Sequence, residues 1–198
     1  ILNFPGAEVG GFFCSDPSLD RPDLQMHFTR VSGDRDIDNN STLDDLPGVT
    51  SIAYLTRPES RGSVKITSND SAEPPLIDAN YLATENDRIA LIAGVKRLRD
   101  IFASASLATV IGQELRPGVA VESDEDILAY IQQHGTTAFH PVGTCKMGND
   151  DLAVVDDRLR VYGVSNLRVV DASIMPTLIS DNTNAATIMI AEKGADLI

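Results

Sequence analysis

The sequence is poor in cysteine, contains no tryptophan and has no long apolar run. Its two cysteines, Cys14 and Cys145, are too few and too far apart to indicate a disulfide framework or a zinc site. We therefore expect reduced thiols and no metal. No apolar stretch is long enough to cross a bilayer, and the first residues do not form a signal-peptide pattern. These absences favour a cytoplasmic protein and leave open a peripheral membrane association of a longer parent.

Positive charge is scarce as well. The chain has 16 lysine and arginine residues against 29 aspartate and glutamate residues, which gives a formal net charge of −13. Such a chain is not expected to bind nucleic acid or anionic membrane surfaces, because both are themselves negatively charged. The rest of the composition is ordinary for a globular protein, with 42% of the residues hydrophobic. At 198 residues the chain is long enough for one large or two small domains with a hydrophobic core.

Alternation of apolar and polar residues predicts several strands. The pattern indicates strands over 24–31, 49–55 and 63–67, and a short connection rich in Pro and Gly predicts an antiparallel hairpin between the second and third. A nearly continuous apolar strand over 167–173 exits into Asp171. Such an exit is typical of a buried parallel strand with a ligand at its carboxyl end.

Apolar residues at helical spacing predict three helices. The first covers about 84–104, and the second opens at Ser123 as N-cap and ends at His134. The last helix covers about 185–197. Because it is apolar on most sides up to Ile190, we expect it to be deeply buried.

One histidine stands in a setting that favours chemistry. The segment 139–148 reads F-H-P-V-G-T-C-K-M-G, in which Pro141 biases His140 toward an extended backbone and Gly143 permits a tight turn. Some 40 residues later, the polar run S-D-N-T-N-A-A-T (180–187) opens the last helix. A histidine at a turn and an Asn-rich helix N-terminus are what proton abstraction beside an anion or an oxygen-rich cofactor requires.

Each of these residues also has a structural explanation. A His-Pro turn at His140 is compatible with a purely structural role, Asn182 with the N-cap of the last helix, and Asp171 with a strand-end turn. His27 lies inside a predicted strand, where a hydrogen bond within the sheet explains it. His134 at a helix C-terminus is explained by the helix dipole.

Several segments of the chain together resemble the C-terminal part of the glucose–methanol–choline (GMC) oxidoreductases. The match runs in the family's order over most of the chain, and within the family the choline-dehydrogenase-like alcohol dehydrogenases are the most similar. The matching segments are T-A-F-H-P-V-G-T-C-K-M-G (137–148), 154–161, 167–176 and N-T-N-A (182–185) through 198, preceded by R-P-E-S-R-G-S-V (57–64) and N-Y-L (80–82).

The resemblance implies flavin chemistry. Family members bind FAD and oxidise an alcohol to a carbonyl, with hydride passing to the flavin N5. By resemblance, His140 is the base that takes the hydroxyl proton, and Asn182 holds the substrate oxygen. Four residues are implied to lie at the cofactor: Asn184 and Ala185 at the flavin pyrimidine, and Asp171 and Ala172 near the ribityl–pyrophosphate part.

The resemblance also implies a fold and a division of the chain. It implies an α+β fold with an antiparallel sheet of about six strands, helices on one face, and C-terminal pieces of an FAD-binding domain. Residues 1–139 would form a substrate-binding domain. Residues 140–198 would carry the catalytic His and Asn and complete the FAD domain.

The glycine-rich turn that takes the FAD pyrophosphate in this family does not occur in the sequence. With a start that reads as the middle of a protein, this predicts a fragment that lacks the N-terminal FAD-binding part, holds no FAD tightly and is inactive alone. Its uncovered apolar surface predicts self-association into a homo-oligomer, which sedimentation would test. The alternative is a non-catalytic binding or assembly module that kept the scaffold.

Overall fold

The computed structural model describes residue 7 and residues 9–35 and 41–198, where short antiparallel strands combine with three helices and the fold is mixed α and β. The strands are β1 (Val9–Phe13), β2 (Leu24–Thr29), β3 (Gly33–Arg35), β4 (Ser41–Leu43), β5 (Thr50–Leu55), β6 (Ser63–Lys65) and β7 (Leu76–Asp78). The helices are α1 (Glu85–Phe102), α2 (Asp124–His134) and α3 (Asn184–Asp196), with a 3-10 turn at Ala172–Ile174.

The chain divides into two compact units. One takes the described residues of Ile1–Leu55 together with Asn86–Thr136, and the other takes Thr56–Glu85 together with Thr137–Ile198. Each unit is therefore built from two separated stretches of chain. The division into 1–139 and 140–198 stays a prediction.

In the first unit, β1, β2 and β5 form an antiparallel sheet with β2 in the centre. Alternate residues point to opposite faces of a strand, and the fully buried Leu24 lies on the face that α1 covers. Gly94 of α1 approaches this face so closely that a Cβ there would stand 3.2 Å from Ala53 Cβ. The rings of Phe28 and Phe102 extend the contact, with centroids 6.1 Å apart. The predicted first helix is thus confirmed and packs on one face of the sheet.

The predicted hairpin between 49–55 and 63–67 is wrong. The strand β6 pairs with β7, and β5 pairs with β2. Gly62 permits the pairing of β6 with β7, because its backbone lies against the carbonyl of Asp78 with no room for a Cβ, and Asn80 Nδ2 donates to Arg61 O at 2.8 Å. The sheets of the described residues have three, two and two strands, so one sheet of about six strands is not found there.

The buried core of the second unit is formed by residues that follow segment 139–148, which contains His140 and Pro141. Its strand prediction over 167–173 is wrong: Arg168 pairs antiparallel with Arg160, and the chain then leaves the extended conformation. It does so because the Asp171 carboxylate accepts from Ser173 N at 2.8 Å and starts the 3-10 turn. The buried core residues of this unit are Val155, Leu159, Ile174, Met175 and Ile190.

Only one stripe of α3 packs on this core. Ile190 is buried, and Gly194 one turn later lies so close to the Val170 side chain that no Cβ would fit. Ile188 and Met189, in contrast, are each 55% exposed, so the predicted deep burial of this helix is wrong. Within the described residues, no helix combines the length and the apolar character that crossing a membrane requires.

Candidate active site

His140 lies in an irregular segment between α2 and the 3-10 turn. The preceding residue, Phe139, has a φ of +61°, in the left-handed region that L-residues rarely adopt, and its N–H donates to Thr137 Oγ1 at 3.0 Å. The chain bends at Phe139, and Pro141 then restricts the backbone of His140. The half-buried His140 side chain therefore follows directly on a sharp change of chain direction.

The rest of the motif is held against the 3-10 turn. Cys145 N donates to Ser173 O at 3.0 Å, and Met147 N donates to Ile174 O at 2.7 Å. Between His140 and these bonds, Gly143 has a φ of +89°, a conformation that favours glycine. Because Ile174 belongs to the buried core, the backbone that follows His140 is hydrogen-bonded to a residue of that core.

The imidazole of His140 is held on both nitrogens by two consecutive residues. Asn182 Nδ2 lies 2.7 Å from Nε2, and Thr183 Oγ1 lies 2.9 Å from Nδ1. Asn182 is exposed, whereas Thr183 is only 9% exposed. The two residues predicted as catalytic are 42 positions apart in sequence, and the structure brings their side chains into direct contact.

The four residues predicted at the cofactor belong to the same unit as His140. Asn184 and Ala185 are exposed in the first turn of α3, which begins without a side-chain cap. Asp171 caps the 3-10 turn with its carboxylate, and Ala172 is half-buried within that turn. An uncapped helix N-terminus presents backbone N–H groups and the positive end of the helix dipole, which suit an electron-rich group.

The motif carries a single charged side chain, Lys146, which forms an ion pair away from the histidine. Its Nζ lies 2.7 Å from Asp150 Oδ2. The hydrogen bond from Lys146, with a second from Leu152 N, lowers the pKa of the Asp150 carboxyl below its ordinary value. This lysine therefore serves the turn that follows the motif.

The two other histidines are explained by local contacts in the first unit. His27 Nε2 lies 3.1 Å from Tyr54 Oη and 3.3 Å from Gln25 Nε2. His134 stacks on Tyr130 at the end of α2, with ring centroids 4.5 Å apart. Neither histidine needs a catalytic role to account for its place.

Thr183 is the contact that the sequence did not predict. A threonine that opens a helix is the usual N-cap, and its position between two asparagines gave no other signal. The structure instead directs its hydroxyl to His140. Chemically, an imidazole nitrogen beside an amide can take a proton from a hydroxyl group while the amide orients the same oxygen.

Comparison with known proteins finds a matching family model and related dehydrogenases. Residues 58–191 match the family model described as GMC oxidoreductase. The chain is 46% identical over 192 residues to alcohol dehydrogenase [acceptor] of Pseudomonas putida, which covers 97% of the chain and 34% of that protein. It is 44% identical over 191 residues to oxygen-dependent choline dehydrogenase of Proteus mirabilis, covering 96% and 34%. The chain thus spans about a third of the length of the curated relatives it matches.

Solved structures agree with these relatives. Pyridoxine 4-oxidase from Mesorbium loti superposes with a TM-score of 0.84 at 31% identity, over 96% of this chain and 37% of that one. An FAD-dependent oxidoreductase from Chaetomium thermophilum superposes with a TM-score of 0.75 at 26% identity, over 90% and 28%.

Proposed function

Since the chain belongs to the GMC oxidoreductase family, we propose that it is the C-terminal part of an FAD-dependent enzyme that oxidises a primary alcohol, choline-like or other, to an aldehyde. The observation that carries the proposal is the 2.7 Å contact between His140 Nε2 and Asn182 Nδ2. Two groups with complementary hydrogen-bonding roles meet there, on a part of the surface where Asn182 is exposed.

In this proposal His140 is the base. Its Nε2 takes the proton of the substrate hydroxyl, and Asn182 holds the same oxygen so that the carbinol carbon keeps one orientation. Alkoxide formation makes hydride departure easier, and both groups must therefore converge on one oxygen. The fixed backbone around His140 favours this use, because a base 1 Å out of place loses much of its effect.

The residues at the start of α3 fit the flavin that the family uses. Asn184 and Ala185 are exposed at an N-terminus without a side-chain cap, so their backbone N–H groups suit the electron-rich pyrimidine edge of the ring. Asp171 and Ala172 would hold the ribityl–pyrophosphate part. When bound, FAD supplies the hydride acceptor at its N5.

The remaining assignments concern the chain as a whole. We propose that the alcohol substrate reaches a site completed by an N-terminal FAD-binding part, and that the protein acts in the cytoplasm, which cell fractionation would test. The contact between His140 and Asn182 favours the enzyme over the alternative, a non-catalytic assembly module.

The test is flavin reduction by a panel of primary alcohols in the flavin-loaded enzyme that contains this chain. His140→Ala is expected to lower the rate of flavin reduction by about 10²–10⁴-fold, which is the usual contribution of a general base. Asn182→Ala is expected to lower it by about 10²-fold, as for loss of one oriented donor. Stopped-flow absorbance of the flavin gives both rates.

The matched control is His134→Ala, which removes a histidine from α2 in the other unit. It should leave the rate within a few-fold of wild type. If His140→Ala retains bound flavin and reduces it as fast as this control, His140 is not the base.

A further inference from the structure

The hydroxyl of Thr183 makes an unusual contact for a side chain at the N-terminus of a helix. Thr183 is the N-cap of α3, where a threonine side chain ordinarily accepts from a backbone N–H of the first turn. Here its own backbone is helical, with φ −75° and ψ −13°, and the side chain makes no cap bond. The hydroxyl lies 2.9 Å from His140 Nδ1 instead.

Ser123, the N-cap of α2, behaves in the ordinary way. Ser123 has an extended backbone, with φ −73° and ψ 159°, and its Oγ accepts from Asp126 N at 3.1 Å. The same chemical group at the same helix position therefore does two different things. In α2 it satisfies the helix, and in α3 it contacts an imidazole.

The two contacts on the ring are linked through the histidine tautomer. A neutral imidazole has one donor and one acceptor nitrogen, and an amide nitrogen only donates. With Asn182 Nδ2 at 2.7 Å, Nε2 accepts, so the ring proton belongs on Nδ1. A threonine hydroxyl oxygen accepts as well as donates, and Thr183 Oγ1 is placed to accept that proton.

We propose that Thr183 is a positioning residue that holds His140 in the Nδ1–H tautomer and so keeps Nε2 without a proton and able to act as the base. The proposal rests on the proposed function for its use in catalysis, but the tautomer is a property of the chain itself. Thr183 is only 9% exposed, so its side chain is largely shielded from water. Because Thr183 directly follows Asn182, one short segment sets both the orientation and the protonation of the ring.

The test is ¹⁵N NMR of the histidine rings in the 198-residue chain. The pH is set about two units above the pKa of a free histidine side chain, where such a side chain is neutral. Wild type is expected to show His140 as the Nδ1–H tautomer, identified by loss of its signals in His140→Ala. Thr183→Val removes the hydroxyl with little change of shape and should give a mixture of tautomers. Thr183→Ser should restore the wild-type pattern.

The matched control is Thr187→Val, one turn along α3, which deletes a hydroxyl that donates to Thr183 O at 2.8 Å within the helix. It should leave the tautomer unchanged. In the flavin-loaded enzyme, Thr183→Val should lower the flavin reduction rate by about 10–100-fold through misorientation of the ring.

Three results would overturn the proposal: an Nε2–H tautomer in wild type, an unchanged tautomer in Thr183→Val, or a mixture in Thr183→Ser. The first needs no variant and holds even where Thr183→Val does not fold. An unaffected rate in His140→Ala would end the proposed function and leave the tautomer result standing.

Discussion

Phe139 shows at the scale of one residue how the site is built. Its φ of +61° costs roughly 1–2 kcal/mol relative to an ordinary backbone conformation. Such conformations persist where the surrounding contacts determine them, and they occur often at functional sites. Here the bond from Phe139 N to Thr137 and the fixed backbone after Gly143 lie on either side of His140. The strain is therefore located where a fixed imidazole is of use.

Asp156 allows a prediction on pH at the same scale. Its carboxylate accepts from Arg160 Nε at 2.8 Å and from the backbone N–H groups of Arg158 and Arg160 at 2.9 Å, which together lower its pKa below the ordinary value. Because the pKa of Asp156 is lowered in the folded chain, the same carboxylate in the unfolded chain takes up its proton at a higher pH. The carboxylate's contribution to stability is thus present above about pH 4 and is lost as the pH falls through the lowered folded value.

Asp156→Asn should therefore make the free energy of unfolding fall less steeply below about pH 4. Urea titrations at several pH values measure the slope. Asp151→Asn, which replaces an exposed carboxylate nearby, controls for the change in net charge. Equal slopes in the two variants would mean that the Asp156 contacts do not stabilise the fold.

At the scale of elements, the helices differ in how their first turns are satisfied. The Ser123 side chain caps α2, and three acidic residues follow it in the first turn, where the helix dipole favours them. The helix α3 has neither a side-chain cap nor an acidic residue in its first turn. A helix that lacks both a side-chain cap and acidic residues at its N-terminus is consistent with a ligand or a reactive group lying there.

Ser123→Ala should lower the free energy of unfolding by about 1 kcal/mol, because it removes the side chain that accepts from Asp126 N. For a chain of this length the midpoint of thermal unfolding should fall by about 2–4 °C. Ser123→Thr keeps the hydroxyl and should lose much less. A Ser123→Ala midpoint equal to that of wild type would show that the cap contributes nothing measurable.

At the scale of the whole molecule, the second unit contains the whole of the candidate site: His140, Asn182 and the start of α3. Its apolar surface is not fully covered by the described residues, since Ile188 and Met189 of α3 are each 55% exposed. Self-association through such a surface stays a prediction.

A second prediction at the scale of the whole molecule concerns the affinity of this chain alone for flavin. Since no glycine-rich turn for the pyrophosphate occurs in the sequence, FAD and riboflavin should bind the 198-residue chain about equally, and neither should saturate it at micromolar concentration. Quenching of flavin fluorescence measures both affinities. A stoichiometric FAD complex that riboflavin does not form would contradict the prediction, because it would mean that Asp171 and Ala172 hold the pyrophosphate without the glycine-rich turn.

The sequence by itself determined the features that depend on neighbouring residues. The extents of α1 and α2, the Ser123 cap and the family follow from spacing and motif, and these were predicted closely. The choice of His140 and Asn182 also came from the sequence, and their contact is consistent with it.

Only the tertiary structure decided which distant residues meet. Residue patterns define a strand but not its partner, and the pairing of β6 with β7 brings Gly62 against Asp78, where no side chain would fit. An apolar helix likewise does not reveal which of its sides is covered. The sequence alone did not decide whether the Thr183 hydroxyl would cap α3 or contact a ring. The fold places His140 Nδ1 2.9 Å from this hydroxyl, and a hydrogen bond depends on distance rather than on order in the chain.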